Sequence, residues 1–226
     1  MSWRWFIGVV VLMVLVTGLF WAKPQLDIEA SSYFYANQTF QGLLNHWEFV
    51  VRHILNGLVW LTAILAVIGF LAACCWKGRP AWLTKRSCAF IVLSFALAPG
   101  LVVNTVLKNN WGRPRPIQVT QFGGSAQYQK PWVMSSQCDT NCSFVCGDCA
   151  AAFAFFAFFL LARRYKKTIL TAVILWSVLL GGIRLSQGGH FISDILLAYG
   201  VDFVVIFLLY KAMGFDRIKR QLQHQC

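Results

Sequence analysis

Six long apolar runs divide this sequence, and they restrict its fold more than any other feature does. A membrane-spanning helix needs about 20 mainly apolar residues. Inside a bilayer, only helices and closed barrels satisfy all the backbone polar groups. We therefore predict an all-α integral membrane protein, with six transmembrane helices in one bundle and a single domain over residues 1–226. The predicted spans cover about 5–22, 54–76, 88–107, 148–162, 168–185 and 191–210.

Three details of the first half refine this prediction. The first run resembles a signal peptide, but it is long for one and Lys23-Pro24 is a poor cleavage context, so we expect an uncleaved span. Residues 23–50 mix aromatic and polar side chains, which predicts a segment lying along the membrane interface. Pro99-Gly100 lies within the third run and predicts a kink in that helix.

The basic residues are unevenly distributed and predict how the chain is oriented. The formal net charge is +12, although only 12% of the residues are charged. Most lysines and arginines fall at Arg4, in 77–86, in 163–167 and in the tail, all on one side of the six spans. The positive-inside rule makes that side cytoplasmic, so both termini are expected there. The charges lie between apolar runs and not along one surface, which excludes a nucleic-acid partner.

Other basic residues fall on the opposite side, where this rule does not place them. Among them are Lys108, Arg113, Arg115 and Arg184. They either extend along the interface to reach water or bind an anion. Lys108 and Arg115 are seven residues apart with Pro and Gly between them, so they can surround a compact anion. Arginine matches phosphate with a planar fork, and lysine matches it with a point charge.

A turn containing glycine precedes the fourth run at Cys146-Gly147-Asp148. A helix N-terminus offers free backbone N–H groups and is a natural site for phosphate. Cys146 and Gly147 are therefore candidate phosphate-binding residues. Asp148 is either part of the site or an acidic residue that complements the helix dipole.

The stretch 181–194 (GGIRLSQGGHFISD) contains Arg184, His190 and Asp194 beside the sixth run. Ionisable residues at the edge of a span are costly and usually functional. His190 and Asp194 are four apart, so on a helix they share a face and the carboxylate can hold one ring nitrogen. The other nitrogen would then be free to act as a nucleophile or a base.

These motifs together resemble the type 2 phosphatidic acid phosphatase superfamily. The matching pattern is Lys-x6-Arg-Pro, a glycine-containing turn and Arg-x5-His-x3-Asp, spread over 108–194. The resemblance implies a six-helix membrane phosphatase that acts on lipid phosphates with no metal and no cofactor. It also implies that His190 attacks phosphorus to form a phosphohistidine and that Asp194 orients it. Three cations would hold the phosphate oxygens, namely Lys108, Arg115 and Arg184.

The second motif departs from that family. The family usually reads Pro-Ser-Gly-His, and its histidine protonates the leaving alkoxide, whereas Asp148 occupies that position here. A carboxylate near three cations is a poor acid at neutral pH. Three explanations stay open: Asp148 is kept protonated, it relays a proton through water, or another group is the acid. Cys146 replaces a hydroxyl donor with a weaker one.

The segments LVVNTVLKNNWGRPRP, SSQCDTNCSFVCGD and RLSQGGHFISD resemble the lipid A 4′-phosphatase branch, which also lacks the histidine. This resemblance implies lipid A as the phosphorylated lipid substrate, with the active site on the periplasmic side of a bacterial inner membrane. Two alternatives remain. One is a phosphatase of undecaprenyl diphosphate, phosphatidylglycerol phosphate or phosphatidic acid. The other is a protein that binds a lipid phosphate without hydrolysing it.

Four of the eight cysteines are close together, at Cys138, Cys142, Cys146 and Cys149. Their spacings do not fit a zinc finger or ribbon. In an oxidising periplasm we expect a disulfide between Cys138 and Cys142, which would stiffen the loop before the second motif. The remaining cysteines lie on or near the cytoplasmic side and are expected to be reduced.

Overall fold

The computed structural model describes residues 2–78, 80 and 84–216, apart from the side chain of Leu55. The basic tail beyond residue 216, including Cys226, lies outside these residues. Within them the chain is mostly helical, with one short hairpin in which β1 (Tyr35–Ala36) pairs with β2 (Thr39–Phe40). The helices are α1 (Trp3–Ala22), α2 (Gln25–Ser32), α3 (His46–Cys75), α4 (Lys85–Asn110), α5 (Gly147–Phe153), α6 (Phe156–Leu161), α7 (Lys166–Ser186) and α8 (Ile192–Ala212).

Five helices in the described ranges are long and apolar enough to cross a membrane: α1, α3, α4, α7 and α8. The α5–α6 pair is a shorter apolar helix over Gly147–Leu161, interrupted by a turn at residues 154–155. These lengths and compositions make the chain a multi-pass membrane protein and confirm the helical membrane class predicted from the apolar runs.

Helix α3 begins at His46, whereas the apolar run predicts a start near 54. The polar residues of its first turns find partners and can therefore be helical. Buried Glu48 accepts a hydrogen bond from Ser186 Oγ at 2.6 Å, and Arg52 contacts Asp148. The segment expected along the interface consequently folds as α2, the hairpin and a short 3₁₀ turn before α3.

Helix α4 contains a π-helical stretch over Ala96–Leu107, where Pro99-Gly100 predicts a kink. Proline has no N–H to donate, so the regular helical ladder is interrupted there. In the wider π-helical turn, backbone N–H groups bond to carbonyl groups one residue further back than in an α-helix. Thr105 Oγ1 also donates to Gly100 O at 3.1 Å. Stretches of this kind occur often at functional sites. Here it carries Asn104 close to the first residue of α5.

Two apolar clusters surround α8, which is the most buried of the five long helices. One cluster is aromatic and includes Phe90, Phe156 and Phe207. The other lies beneath the residues of the third motif and includes Val103, Phe144 and Leu197. Because both clusters pack on α8, its N-terminal end is fixed within the bundle, and His190 immediately precedes that end.

Main-chain hydrogen bonds connect the long loop between α4 and α5 to itself and to the turn between α7 and α8. Ser143 N donates to Arg113 O at 2.8 Å, and Ile117 N donates to Gly188 O at 3.1 Å. Cys138 and Cys142 are joined by a disulfide in this loop. A second disulfide joins Cys146 to Cys149 across the first turn of α5, and the sequence did not indicate that pairing.

Candidate active site

His190 is fully buried in the turn between α7 and α8. Its Nδ1 lies 2.7 Å from the backbone carbonyl oxygen of Ser143. Because a carbonyl only accepts, Nδ1 carries the proton and Nε2 bears the lone pair. Among the described residues, Nε2 has no hydrogen-bond partner. The imidazole therefore presents a free, unprotonated nitrogen.

The surroundings keep this imidazole neutral. Burial holds the pKa of His190 well below its ordinary value, and the positive charges of Arg184, Lys108 and Arg115 lower it further. The contact with the carbonyl of Ser143 acts in the opposite direction but is weaker. A histidine in this state is a competent nucleophile at neutral pH.

Asp194 is also fully buried, but it does not touch the ring of His190 in the described part of the chain. Its Oδ2 accepts from Ser143 Oγ at 2.6 Å and from Phe191 N at 3.0 Å, and its Oδ1 accepts from Arg113. The direct contact expected from the four-residue spacing is therefore wrong. Helix α8 begins only at Ile192, so His190 lies before the helix and the two residues do not share a helical face.

The three predicted phosphate ligands lie around His190 and come from three separate elements. Arg184 is in the last turn of α7, and a Cβ on Gly189 would lie 2.5 Å from its Nη2. Lys108 Nζ donates to Asn141 Oδ1 at 3.1 Å, and Arg115 Nη2 donates to Asn141 O at 2.6 Å. Burial and the charge of Arg52 lower the pKa of Arg115.

Asp148 forms ion pairs with two arginines. Arg52 Nε lies 2.8 Å from its Oδ2, and Arg184 Nε lies 3.2 Å from the same oxygen. Two guanidinium groups on one carboxylate favour its ionised form. Asp148 therefore links α3, α5 and α7 at the point where the three cations converge. The sequence analysis did not include Arg52 in the site, because no motif contains it.

Cys146 and Gly147 serve the local packing of α5. The sulfur of Cys146 is bonded to Cys149 and also caps the helix by accepting from Cys149 N at 3.2 Å. A Cβ on Gly147 would collide with Asn104 Oδ1 and would lie 3.1 Å from Lys108 Nζ. Glycine is thus required here for the close approach of α4 and its lysine.

An apolar groove of about 510 Å³ extends from this cluster between α3, α4 and α5. Asn104, Gly147 and Asp148 line its polar end, and Val67 and Val92 line its far end. The residues that α3 contributes run from Asn56 to Val67, which corresponds to about 16 Å along a helix. The groove can therefore hold an extended hydrocarbon chain while a charged group occupies the cationic end.

The combination of groups at this cluster suits phosphoryl transfer. That reaction needs charge neutralisation at the phosphoryl oxygens and a nucleophile in line with the leaving group. Lys108, Arg115 and Arg184 supply the positive charge, and Nε2 of His190 supplies a lone pair. In a buried setting such charges act more strongly than they would in water.

The chain belongs to the PAP2 superfamily, whose family model matches residues 88–218. This match confirms the resemblance seen in the three motifs. The chain is also similar to a lipid A 4′-phosphatase of Francisella tularensis subsp. novicida (strain U112), with 40% identity over 202 residues, or 83% of this chain and 88% of that protein. A lipid A 4′-phosphatase of Rhizobium leguminosarum is 40% identical over 112 residues, which cover 48% of this chain and 47% of that protein. No solved structure matches the chain significantly.

Proposed function

We propose that this chain is a lipid phosphate phosphatase that removes the 4′-phosphate of lipid A through a phosphohistidine intermediate. The observation that carries the proposal is the free Nε2 of buried His190 beside three cations. Similarity to lipid A 4′-phosphatases supports the substrate, since the Francisella protein matches over 83% of this chain.

In the first step Nε2 of His190 attacks phosphorus while Lys108, Arg115 and Arg184 bind the phosphoryl oxygens. The P–N bond forms as the bond from phosphorus to the sugar oxygen breaks, and the electron pair of that bond goes to the oxygen. In the second step water attacks the phosphohistidine, which releases inorganic phosphate and restores the neutral imidazole. Asp194 acts through Ser143, whose carbonyl accepts from Nδ1 and favours the phosphohistidine cation.

The leaving oxygen needs a proton, and we assign its delivery to Asp148. In the free protein two arginines hold Asp148 as a carboxylate. A bound phosphate dianion competes with Asp148 for Arg184 and also places negative charge beside it. Both effects favour uptake of a proton by Asp148, and that proton is then available for the sugar oxygen.

We also propose how the chain crosses the membrane. The α5–α6 pair joins the five long helices as the fourth of six spans in chain order, both termini are cytoplasmic, and the whole chain forms one domain. Arg4 and the cluster 163–167 then lie on the cytoplasmic side, in agreement with the positive-inside rule. The catalytic cluster faces the periplasm at the inner membrane of a bacterium. The groove beside Asp148 takes one acyl chain of the lipid.

A substrate panel with the purified protein tests this function. Lipid A, undecaprenyl diphosphate, phosphatidylglycerol phosphate and phosphatidic acid are each presented in mixed micelles, and phosphate release is measured. We expect the highest kcat/KM for lipid A, with mass spectrometry showing loss of the 4′-phosphate. A higher kcat/KM for another lipid would overturn the substrate, and tight binding without turnover of any of the four would overturn the enzymatic function.

A further inference from the structure

A second group of charges lies behind the catalytic histidine and is completely buried. Arg113 has no exposed surface, and its guanidinium contacts the carboxylates of both Asp27 and Asp194. Its Nη1 also donates to Ser193 Oγ at 2.9 Å, and its Nε donates to Gln129 O at 2.8 Å. Burial alone would lower the pKa of Arg113, but the two carboxylates raise it above its ordinary range. Arg113 is therefore charged at neutral pH.

Asp27 lies on α2, in the segment between the first two spans, far in sequence from the motifs. Both of its carboxylate oxygens are used. Oδ1 accepts from Ser193 N at 3.0 Å, and Oδ2 accepts from Ser193 Oγ at 2.6 Å, Arg113 Nη2 at 2.8 Å and Tyr128 OH at 2.9 Å. Each contact is to a residue more than 80 positions away.

The contact with Ser193 N caps helix α8 from outside its own sequence. The first N–H groups of a helix have no partner within it, and a carboxylate there also complements the dipole. Phe191 at the cap position has no polar side chain, so two aspartates cap the helix together. Asp194 accepts from Phe191 N, and Asp27 accepts from Ser193 N. Asp27 thus fixes the start of the helix that immediately follows His190.

The contacts continue without a gap to the imidazole. Arg113 donates hydrogen bonds to the carboxylates of both Asp27 and Asp194. Asp194 in turn accepts a hydrogen bond from Ser143 Oγ. The backbone carbonyl of Ser143 then accepts a hydrogen bond from Nδ1 of His190. Main-chain bonding adds a parallel link, because Ser143 N donates to Arg113 O at 2.8 Å.

From this arrangement we propose that Asp27 is a positioning residue of the phosphatase site, which sets the orientation of His190 through Arg113, Asp194 and Ser143. The inference rests on the proposed function, since it concerns the nucleophile of that reaction. It also gives the segment between the first two spans a catalytic role. Within the described ranges Asp27 bonds to none of the three phosphate ligands and does not line the groove. It should therefore affect the chemical step and leave substrate affinity unchanged.

The test compares Asp27→Asn with Glu29→Gln, which removes a negative charge from the exposed side of the same helix. Misplacing a reacting atom by about 1 Å can cost about a hundredfold in rate. We expect Asp27→Asn to lower kcat by about ten- to a hundredfold with KM within about twofold of wild type. Asp27→Glu, which keeps the charge, should recover part of the loss, and Glu29→Gln should match wild type.

Two further measurements separate positioning from a general loss of folding. Inorganic phosphate, used as a competitive inhibitor, should bind Asp27→Asn with an unchanged inhibition constant because the three cations are intact. In a double-mutant cycle, Asp27→Asn combined with Ser193→Ala should lose less than the product of the two single effects, since both substitutions weaken the hydrogen bond between Ser193 Oγ and Asp27 Oδ2. If Asp27→Asn does not fold, Ser193→Ala alone carries the test and should lower kcat by about three- to tenfold.

The outcomes distinguish this inference from the proposed function. If the wild-type protein releases no phosphate from any lipid, the proposed function fails and the inference fails with it. An active wild type whose Asp27→Asn variant keeps its kcat overturns the inference alone. A rise in KM or in the phosphate inhibition constant, with kcat unchanged, would likewise overturn it, since Asp27 would then act on binding.

Discussion

Two arginines in the stretch Arg113-Pro114-Arg115-Pro116 have opposite surroundings. Arg113 points inward and contacts two buried carboxylates. Arg115 is partly exposed and donates to the main-chain carbonyl of Asn141, with no carboxylate bonded to it in the described part of the chain. The pKa values follow this difference, since the carboxylates raise that of Arg113 while burial lowers that of Arg115. A cation with partners supports the fold, and a cation without them is available to a ligand.

The same contrast holds for the two sides of His190. On the side of its free Nε2, Lys108, Arg115, Arg184 and Arg52 outnumber Asp148, so the charge is in positive excess. On the side of Nδ1, the one cation Arg113 lies between the two carboxylates of Asp27 and Asp194, so positive charge is not in excess there. The first side is suited to bind a dianion. On the second side the arginine is already paired with carboxylates, so it is not available to a ligand. Four predictions test this comparison.

The largest effect is expected at the nucleophile. His190→Ala should reduce kcat by about 10⁴-fold or more, because without Nε2 no covalent intermediate can form. Phosphate release measures the loss, and labelling of the phosphoenzyme under alkaline denaturing conditions, in which phosphohistidine is stable, detects the intermediate. The matched control is His53→Ala, an exposed histidine on α3, which should keep full activity. Full activity of His190→Ala would disprove the phosphohistidine mechanism.

Substituting Arg113 should mainly lower stability, whereas substituting Arg115 should mainly lower activity. Arg113→Ala leaves two buried carboxylates without a counter-charge and should lower the free energy of unfolding by about 3–5 kcal/mol. Arg115→Ala should change stability by less than about 1 kcal/mol but should reduce kcat/KM by about 10²- to 10³-fold. Thermal unfolding in micelles and lipid A turnover give the two readouts. Equal destabilisation by both substitutions would contradict the comparison.

A smaller effect is expected for the proton donor. Asp148→Asn should lower kcat for a lipid phosphate with an alkoxide leaving group by about ten- to a hundredfold. The loss should nearly vanish for a lipid-like aryl phosphate, because a phenolate leaves without protonation. The ratio of the two rates is the measurement. A rate for lipid A equal to that of wild type would remove Asp148 as the acid.

The smallest effect concerns pH. Because burial and three cations hold the pKa of His190 below 6.5, kcat/KM should persist below pH 6.5 and fall only when the imidazole becomes protonated. Lys108→Gln removes one of those cations, which favours the protonated ring, so the pKa of His190 should rise. The acidic limb of the residual activity should then move to higher pH than in wild type. The ionisation of the substrate is common to both proteins, so a shift in the other direction, or none, would refute this account.

Much of the architecture was predictable, because a run of about 20 apolar residues has few alternatives to a spanning helix. The candidate site was predictable where a residue type and its spacing carry the chemistry, as with Arg184 and His190. The group that accepts a hydrogen bond from Nδ1 of His190 was not predictable, because it is the backbone carbonyl of Ser143 and any residue type has such a carbonyl. Asp27 and Arg52 were missed for another reason: they reach the site from elements distant in sequence, and only packing brings them there.

The shortness of the α5–α6 pair has a consequence for the surrounding lipid. Its two pieces have seven and six residues, so the pair is about 20–22 Å long, well below the roughly 30 Å of a bilayer's hydrocarbon core. In the topology that we propose, this pair is a span, and neighbouring lipids then thin to meet it or its end lies below the level of the headgroups. Asp148 is at that end, so in that topology the hydrophobic mismatch would bring a lipid phosphate and the cationic cluster to the same depth. Catalysis should consequently respond to the acyl-chain length of the host bilayer, with thin membranes supporting faster turnover than thick ones.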